Sequence, residues 1–178
     1  MAVLMLRHTQ PRVAPGTCYG QTDLDVAESF ERDVVAVLET LPEVDAIVSS
    51  PLTRCRKLAG KVAAHFACGV RLEHRLMEMN FGRWEGLAWN KVPRSELDAW
   101  ASDFNHARPH GGESVAELKA RVDAALAEIR ERETSTLIVT HAGVIRAALA
   151  QGTDASHFQT QIDFGEIIRL PETQEERP

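Results

Sequence analysis

The chain has 178 residues, of which 44% are apolar and 26% are charged, and these values are typical of one globular domain. Its formal net charge of −6 argues against a general binder of nucleic acid or of anionic membranes. A local cluster of arginines can still bind an anionic small molecule, and no run approaches the ~18 apolar residues that a membrane-spanning helix needs.

The cysteines indicate the compartment. Cys18, Cys55 and Cys68 form no C-x-x-C pair, and an odd, scattered count is typical of free thiols in a reducing environment. The first residues lack the basic segment and the long apolar run of a secretory signal. We therefore expect a cytoplasmic protein.

No H-x-H, H-E-x-x-H or C-x-x-C spacing occurs in the sequence, so we expect no bound metal ion.

The chain begins with a predicted buried strand over residues 2–7, AVLMLR. Residues 9–24 contain two prolines and two glycines and predict a long loop, which in compact domains often has a function. A helix is predicted over residues 26–41, with Asp25 and Glu28 as its capping pair.

A second strand is predicted over residues 44–50, VDAIVSS, because it is rich in β-branched residues and shows no polar alternation. Ser50 as N-cap and Pro51 as first helical residue should begin a helix that runs up to Gly69, which stops it. Residues 70–73, VRLE, predict a third, short strand.

The central region is predicted to be irregular over residues 74–112, apart from a helix around residues 93–104. A strongly amphipathic helix should follow over residues 115–132, because its apolar residues recur at helical spacing. Ser114 and Glu117 have the spacing of a capping box at its start.

The last part of the chain predicts a strand over residues 135–140, a helix over 143–150 and a strand over 165–170, followed by a polar, flexible tail over 171–178. Strands that alternate with helices predict an α/β fold. We expect a single domain, 1–178, built as a three-layer sandwich with helices on both faces of a mainly parallel sheet.

Polar or ionisable residues follow three of the predicted strands. Arg7 and His8 end the first strand, and His141 follows the fourth. Arg54 lies in the first turn of the helix after the second strand, where the helix N-terminus adds a partial positive charge. Ligands bind at the carboxyl ends of the strands in such sheets, and this group of cations suits a tetrahedral dianion. Nearby cations lower the pKa of a histidine, which leaves a neutral imidazole able to attack phosphorus.

Five segments, in chain order, are similar to motifs of the histidine phosphatase superfamily, which has the phosphoglycerate-mutase-like fold. LMLRHT resembles the L-x-R-H-G signature, and SSPLTRCRKLA resembles S-S-x-L-x-R-A-x-x-T-A. LMEMNFGRWEG resembles L-x-E-x-x-F-G-x-W-E-G, while HGGES and VTHAGVIR resemble P-x-G-E-S and V-x-H-x-G-x-x-R. Thr9 stands where most of the superfamily has glycine.

The resemblance implies a phosphatase that needs neither metal nor cofactor. It implies that His8 is the nucleophile that becomes phosphohistidine and that Glu78 donates a proton to the leaving oxygen. Arg7, Arg54 and His141 would bind the phosphoryl oxygens, so that fixed cations stabilise the equatorial charge.

Further residues near these motifs are candidate substrate contacts: Thr9, Gly20, Glu85 and Ala142. Glu85 has two interpretations, since it could orient the pocket or cap a short helix. Arg108 and His110 in HARPHGG could contact the distal part of the substrate or lie in a solvated loop.

The segment PRVAPGTCYGQTDLDVAESF resembles the α-ribazole phosphatase branch, whose members read V-x-x-G-x-C-Y-G-x-T-D-x-x-L. The resemblance implies hydrolysis of α-ribazole 5′-phosphate or cobalamin 5′-phosphate in cobalamin biosynthesis. Asp25-Val26 replaces the Pro-Leu that this branch has at these positions.

The alternatives to this function are a phosphoglycerate-mutase-like enzyme, a broad-range sugar phosphatase and a non-catalytic phosphate-binding module. The expected partner is a small phosphorylated substrate, and a homodimer is the alternative to a monomer.

Overall fold

The computed structural model describes residues 2–171, so the predicted tail lies, except for Pro171, outside the described residues. Strands and helices alternate along the chain. The strands are β1 (Val3–Arg7), β2 (Ala46–Ser49), β3 (Val70–Leu72), β4 (Thr136–Thr140) and β5 (Ile167–Arg169). The α-helices are α1 (Phe30–Thr40), α2 (Thr53–Phe66), α3 (Arg94–Ser102), α4 (Val115–Arg130) and α5 (Ala142–Leu149). Short 3-10 helices cover His74–Leu76, Gly82–Trp84, Trp89–Lys91 and Ala155–Phe158.

The five strands form one sheet in the order β3-β2-β4-β1-β5. The strands β1 to β4 pair in parallel, and β5 runs antiparallel to β1 at one edge. This arrangement confirms the predicted α/β fold with a mainly parallel sheet. Within residues 2–171, no helix is long and apolar enough to cross a membrane.

Strand β1 shows why the sheet is covered on both faces. Val3 and Met5 pack with α4 and α5, whereas Leu4 and Leu6 pack with α1 and α2. All four side chains are buried, which explains why this strand appears in the sequence as an unbroken apolar run. Each such side chain contributes about 1.5–3 kcal/mol of hydrophobic stabilisation.

The predicted start of α1 is wrong by four residues. Val26 is extended, since it forms a β-bridge with Pro11, and the helix begins at Phe30. Asp25 does not cap the helix, because its carboxylate accepts hydrogen bonds from the Val26 N–H and from the Lys57 ammonium group. The long loop after β1 therefore continues to the helix start, because a contact within the loop overrides the local helical preference.

The ends of α2 also differ from the prediction. The helix begins at Thr53 rather than Pro51, with Leu52 at the N-cap position. At the other end, Ala67 takes the left-handed conformation with φ of 53°, so the helix ends before Gly69. By contrast, the predicted capping box of α4 is present, with both reciprocal hydrogen bonds between Ser114 and Glu117.

Candidate active site

The strand ends that carry polar groups are neighbours in the sheet. The register of β1 and β4 places Arg7 opposite Thr140. The next residue of each strand is a histidine, and the ring centroids of His8 and His141 are 5.2 Å apart. Ser50 follows β2, and its hydroxyl oxygen lies 2.8 Å from Nε2 of His141. The sheet topology therefore brings the two predicted histidines together.

His8 is buried and held in one orientation by the backbone. Its Nδ1 lies 2.7 Å from the carbonyl oxygen of Thr9. A carbonyl oxygen only accepts, so Nδ1 carries the hydrogen and Nε2 of the neutral ring keeps its lone pair. Burial, followed by the charges of Arg54 and Arg7, lowers the pKa of His8 to about 3, against the opposing effect of the Thr9 carbonyl. Near neutral pH, His8 is therefore a neutral imidazole with a free nucleophilic nitrogen.

His141 is also buried, and its neighbours favour the neutral ring. Burial is the main cause that lowers its pKa well below the ordinary value, and the charges of His8 and Arg54 add to it. The thiol sulphur of Cys55 lies 3.5 Å from Nε2 of His141. Two neutral imidazoles can occupy this site without placing adjacent buried charges in the protein.

Arg54 is fully buried in the first turn of α2. Its two terminal nitrogens donate to backbone carbonyls of the long loop, Nη1 to Thr22 at 2.8 Å and Nη2 to Gly20 at 2.6 Å. Its Nε–H is buried and has no partner among residues 2–171. A buried, unpaired donor on a cation is costly, and an anionic ligand would satisfy it.

Arg7 presents a second unpaired donor. Its Nη1 donates to the carbonyl of Ile162 at 2.6 Å, and its guanidinium carbon lies 3.8 Å from the centroid of the Phe164 ring. Its Nε–H is buried and unpaired, like that of Arg54. Burial lowers the pKa of Arg7 from its ordinary value of 12.5, although Tyr19 opposes this effect.

Glu78 lies at the N-terminus of α5. Its carboxylate accepts hydrogen bonds from the Gly143 N–H at 3.0 Å and from the Met79 N–H at 2.9 Å. A Cβ at position 143 would collide with this carboxylate. The glycine next to the His141-Ala142 pair therefore leaves the space that Glu78 occupies.

One pocket of about 410 Å³ has Arg7, His8, Glu78 and Ala142 in its lining, whereas Arg54 and His141 are fully buried behind that lining. Half of the remaining lining residues are aromatic, and they were missed from the sequence: Tyr19, Phe81, Trp89, Trp100, Phe104 and Phe158. Arg146 also lines the pocket. The sequence could have predicted this position, because Arg146 lies one helical turn after Ala142 on the same face of α5.

Glu85 and Gly20 support the site from outside the pocket lining. The Glu85 carboxylate accepts hydrogen bonds from the backbone N–H groups of Gln21 at 2.9 Å, Thr22 at 2.7 Å and Phe81 at 3.1 Å. These bonds favour the interpretation that Glu85 orients the pocket over that of a simple cap. A Cβ at Gly20 would meet the facing backbone, so glycine allows the two loops to approach closely. Through the Gly20 and Thr22 carbonyls, this contact positions Arg54.

The structure places the other candidates away from the described lining of the pocket. Thr9 is buried, lines a separate depression and serves the site through the carbonyl that holds His8. Arg108 is exposed and forms an ion pair with Glu117. His110 is buried against aromatic rings, which corrects the expectation of a solvated loop at this position. Within residues 2–171, no group of three or more His, Cys, Asp or Glu side chains could hold a metal ion.

We expect the free energy of unfolding to fall as the pH drops from about 6.5 towards 4. The folded protein keeps His8 neutral, because its pKa of about 3 lies below the ordinary value of 6.5. The unfolded chain protonates this residue over the interval, so it binds more protons, and stability falls by up to about 1.4 kcal/mol per pH unit for such a group. Urea titrations in phosphate-free buffers would measure this, and His8→Asn should show a shallower pH dependence. An unchanged slope in that variant would contradict the assignment.

Comparison with known proteins gives the family. The model of the histidine phosphatase superfamily (branch 1) matches residues 3–176. The chain is 33% identical over 165 residues to glucosyl-3-phosphoglycerate phosphatase of Mycobacterium tuberculosis, covering 83% of this chain and 73% of that protein. It is 30% identical over 165 residues to metal-independent phosphoserine phosphatase of Arabidopsis thaliana, covering 86% of this chain and 69% of that protein.

The fold agrees with these matches. The structure of a mycobacterial glucosyl-3-phosphoglycerate phosphatase in complex with VO3 has a TM-score of 0.82 at 29% identity, covering 94% of this chain and 91% of that one. The substrates in these names differ from α-ribazole phosphate. The comparisons therefore support the superfamily and the type of activity, and they do not support the assignment to the α-ribazole phosphatase branch. The chain belongs to branch 1 of the histidine phosphatase superfamily and is a phosphatase of the histidine type.

Proposed function

We propose that this protein hydrolyses a phosphate monoester through a phosphohistidine on His8, and that its substrate is α-ribazole 5′-phosphate or the related cobalamin 5′-phosphate. One observation carries the reaction: in the part of the chain that the structure describes, two buried guanidinium N–H groups, Nε of Arg7 and Nε of Arg54, lack partners next to a neutral imidazole whose Nε2 is free. A phosphoryl group would pair with both donors and present its phosphorus to that nitrogen.

In the first step, the Nε2 lone pair of His8 attacks phosphorus, and the bond from phosphorus to the ester oxygen breaks. The ester oxygen takes the bonding electrons and a proton from the Glu78 carboxyl group, and the alcohol leaves. Arg7, Arg54 and His141 donate hydrogen bonds to the equatorial oxygens, where negative charge is spread in the transition state.

In the second step, a water molecule attacks the phosphohistidine and the bond from phosphorus to nitrogen breaks. The electrons return to Nε2 of His8, and the Glu78 carboxylate takes the proton that the water loses. Inorganic phosphate leaves, and both side chains regain their starting states. The same carboxyl group thus serves as acid and then as base.

The aromatic wall of the pocket supports the ribazole substrate. Phe81, Trp89 and Trp100 come from the segment between β3 and α4, and their rings lie beside the group of His8, Arg7 and Glu78 in one cavity. α-Ribazole carries a planar aromatic base, and an aromatic pair contributes about 0.5–1.5 kcal/mol beyond the area that it buries. The TCYGQTDL segment resembles the same branch.

A second candidate is an ester that also carries a carboxylate, and Arg146 favours it. The Arg146 side chain lines the pocket, and its Nε donates to the carbonyl of Thr160 at 2.8 Å. Arginine pairs well with carboxylates. Phosphoserine and glucosyl-3-phosphoglycerate, which name the relatives, both contain one.

A substrate panel separates the two candidates. We expect a higher kcat/KM for α-ribazole 5′-phosphate than for 3-phosphoglycerate, phosphoserine or sugar phosphates, because aromatic rings line the pocket beside the reacting groups. Arg146→Gln provides the matched test, since it should leave the activity on α-ribazole phosphate unchanged. The reverse ranking, together with a loss in Arg146→Gln that is confined to carboxylate esters, would replace the first substrate by the second.

We also expect activity without a divalent metal ion and strong inhibition by vanadate, which mimics five-coordinate phosphorus. The reason is that Arg7 and Arg54 supply the positive charge that a metal would otherwise supply. Assays with EDTA and with added Mg²⁺ or Zn²⁺ would measure this. Activity that EDTA removes and a metal ion restores would contradict the proposed mechanism.

A further inference from the structure

Tyr19, the one tyrosine of the chain, lies in the long loop after β1 and lines the pocket with Arg7, His8 and Glu78. Backbone contacts on both sides hold it in place. Cys18 donates to the carbonyl of Leu87 at 2.7 Å and accepts from the Gly86 N–H at 2.8 Å. On the other side, the Gly20 carbonyl accepts from Arg54. These contacts fix the backbone that carries the ring at the pocket wall.

The Tyr19 side chain lies near the two arginines that have unpaired donors. Its ring centroid lies 5.4 Å from the guanidinium carbon of Arg54, within the range of a cation–π contact. Tyr19 also lines the same pocket as Arg7, His8 and Glu78. The side chain thus lies among the groups that would surround the phosphoryl group.

The Tyr19 hydroxyl keeps its proton at neutral pH. Burial raises its pKa above the ordinary value of 10, although the positive charges of Arg7 and Arg54 oppose this. A protonated phenol can donate one hydrogen bond and accept another.

We propose that Tyr19 is a further catalytic residue, whose hydroxyl donates its O–H to a non-bridging oxygen of the phosphoryl group. The inference rests on the phosphohistidine reaction proposed above. Tyr19 transfers no proton in either step. It adds a fixed donor for the charge that Arg7, Arg54 and His141 also stabilise.

Tyr19→Phe tests the inference, because it removes only the hydroxyl and keeps the ring on Arg54. We expect kcat/KM to fall about 10- to 150-fold, the usual effect of one hydrogen bond to a charged group. The fall should be equal for an alkyl phosphate and for p-nitrophenyl phosphate, since the donor contacts the phosphoryl group and not the leaving group. Inhibition by vanadate and by inorganic phosphate should weaken in parallel. His65→Ala, an exposed change on α2, is the control that should match wild type.

A double-mutant cycle separates direct contact from an effect through Arg7. If Tyr19 contacts the phosphoryl group, its loss should still reduce activity on p-nitrophenyl phosphate in an Arg7→Gln background. An effect that vanishes in that background would overturn the inference and make Tyr19 a positioning residue for Arg7. Wild-type kcat/KM and wild-type vanadate inhibition in Tyr19→Phe would also overturn it. Trapping phosphohistidine on the wild-type enzyme tests the underlying reaction separately, so the two failures can be distinguished.

Discussion

Replacement of His8 by alanine should reduce hydrolysis of every phosphate monoester by about 10⁴- to 10⁶-fold, the usual effect of removing a catalytic nucleophile. The change removes Nε2, the atom that accepts the phosphoryl group, and with it the covalent route. Wild-type enzyme quenched during turnover of a ³²P-labelled ester should carry acid-labile, base-stable phosphate. The variant should carry none.

A second variant at this position distinguishes the loss of the nucleophile from a failure to fold. His8→Asn keeps a side-chain N–H that can donate to the Thr9 carbonyl, as Nδ1 of His8 does at 2.7 Å, but it has no nucleophilic nitrogen. It should fold and remain inactive. Turnover close to wild type in either variant would refute the phosphohistidine. So would trapped phosphate that base releases, because an acyl phosphate on a carboxylate nucleophile is labile in base and phosphohistidine is stable.

Glu78→Gln should slow the hydrolysis of alkyl phosphates by about 10²–10⁴-fold, which is typical of the loss of a general acid. A sugar alkoxide is strongly basic and needs a proton as it leaves, whereas p-nitrophenolate needs little help. Phosphorylation of His8 by p-nitrophenyl phosphate should therefore be much less affected. Glu78 also activates the water of the second step, so phosphohistidine should accumulate in the variant with this substrate. Burst experiments with both esters would measure the two effects.

Gly143→Ala tests the position of the Glu78 carboxylate without changing Glu78 itself. The three heavy atoms nearest to an added Cβ all belong to the flexible Glu78 side chain, so the variant should fold with the carboxylate displaced. It should reproduce the selective loss on alkyl phosphates. Equal losses of Glu78→Gln on both esters, without trapped phosphohistidine, would show that Glu78 is structural and that another group donates the proton.

The topology and the catalytic group at the strand ends could be predicted from local features. Apolar runs that end in Arg7-His8 and in Thr140-His141 indicate parallel strands whose carboxyl ends meet at one edge, and the rings of His8 and His141 do lie together. The start of α4 was equally predictable, because a capping box acts between residues that are three apart.

Local pattern failed where a distant contact decided the conformation. Residues 26–29 were predicted to be helical, yet Val26 is extended because it pairs with Pro11. His110 was placed either at the substrate or in a solvated loop, yet it is buried with its ring centroid 4.8 Å from that of Trp84. Neither contact leaves a periodic signal, because its partners lie at irregular separations along the chain.

The sequence by itself determined the α/β class, the superfamily and the identity of the groups at the strand ends, since short-range periodicity and strand polarity are encoded locally. Only the tertiary structure decided how the pocket is completed. It placed Glu78 against the Gly143 N–H, Tyr19 against Arg54, and further aromatic side chains in the same pocket. These groups come mainly from long irregular segments, whose backbone conformation is set by the packing of residues far apart in the chain and not by any repeat within the segment.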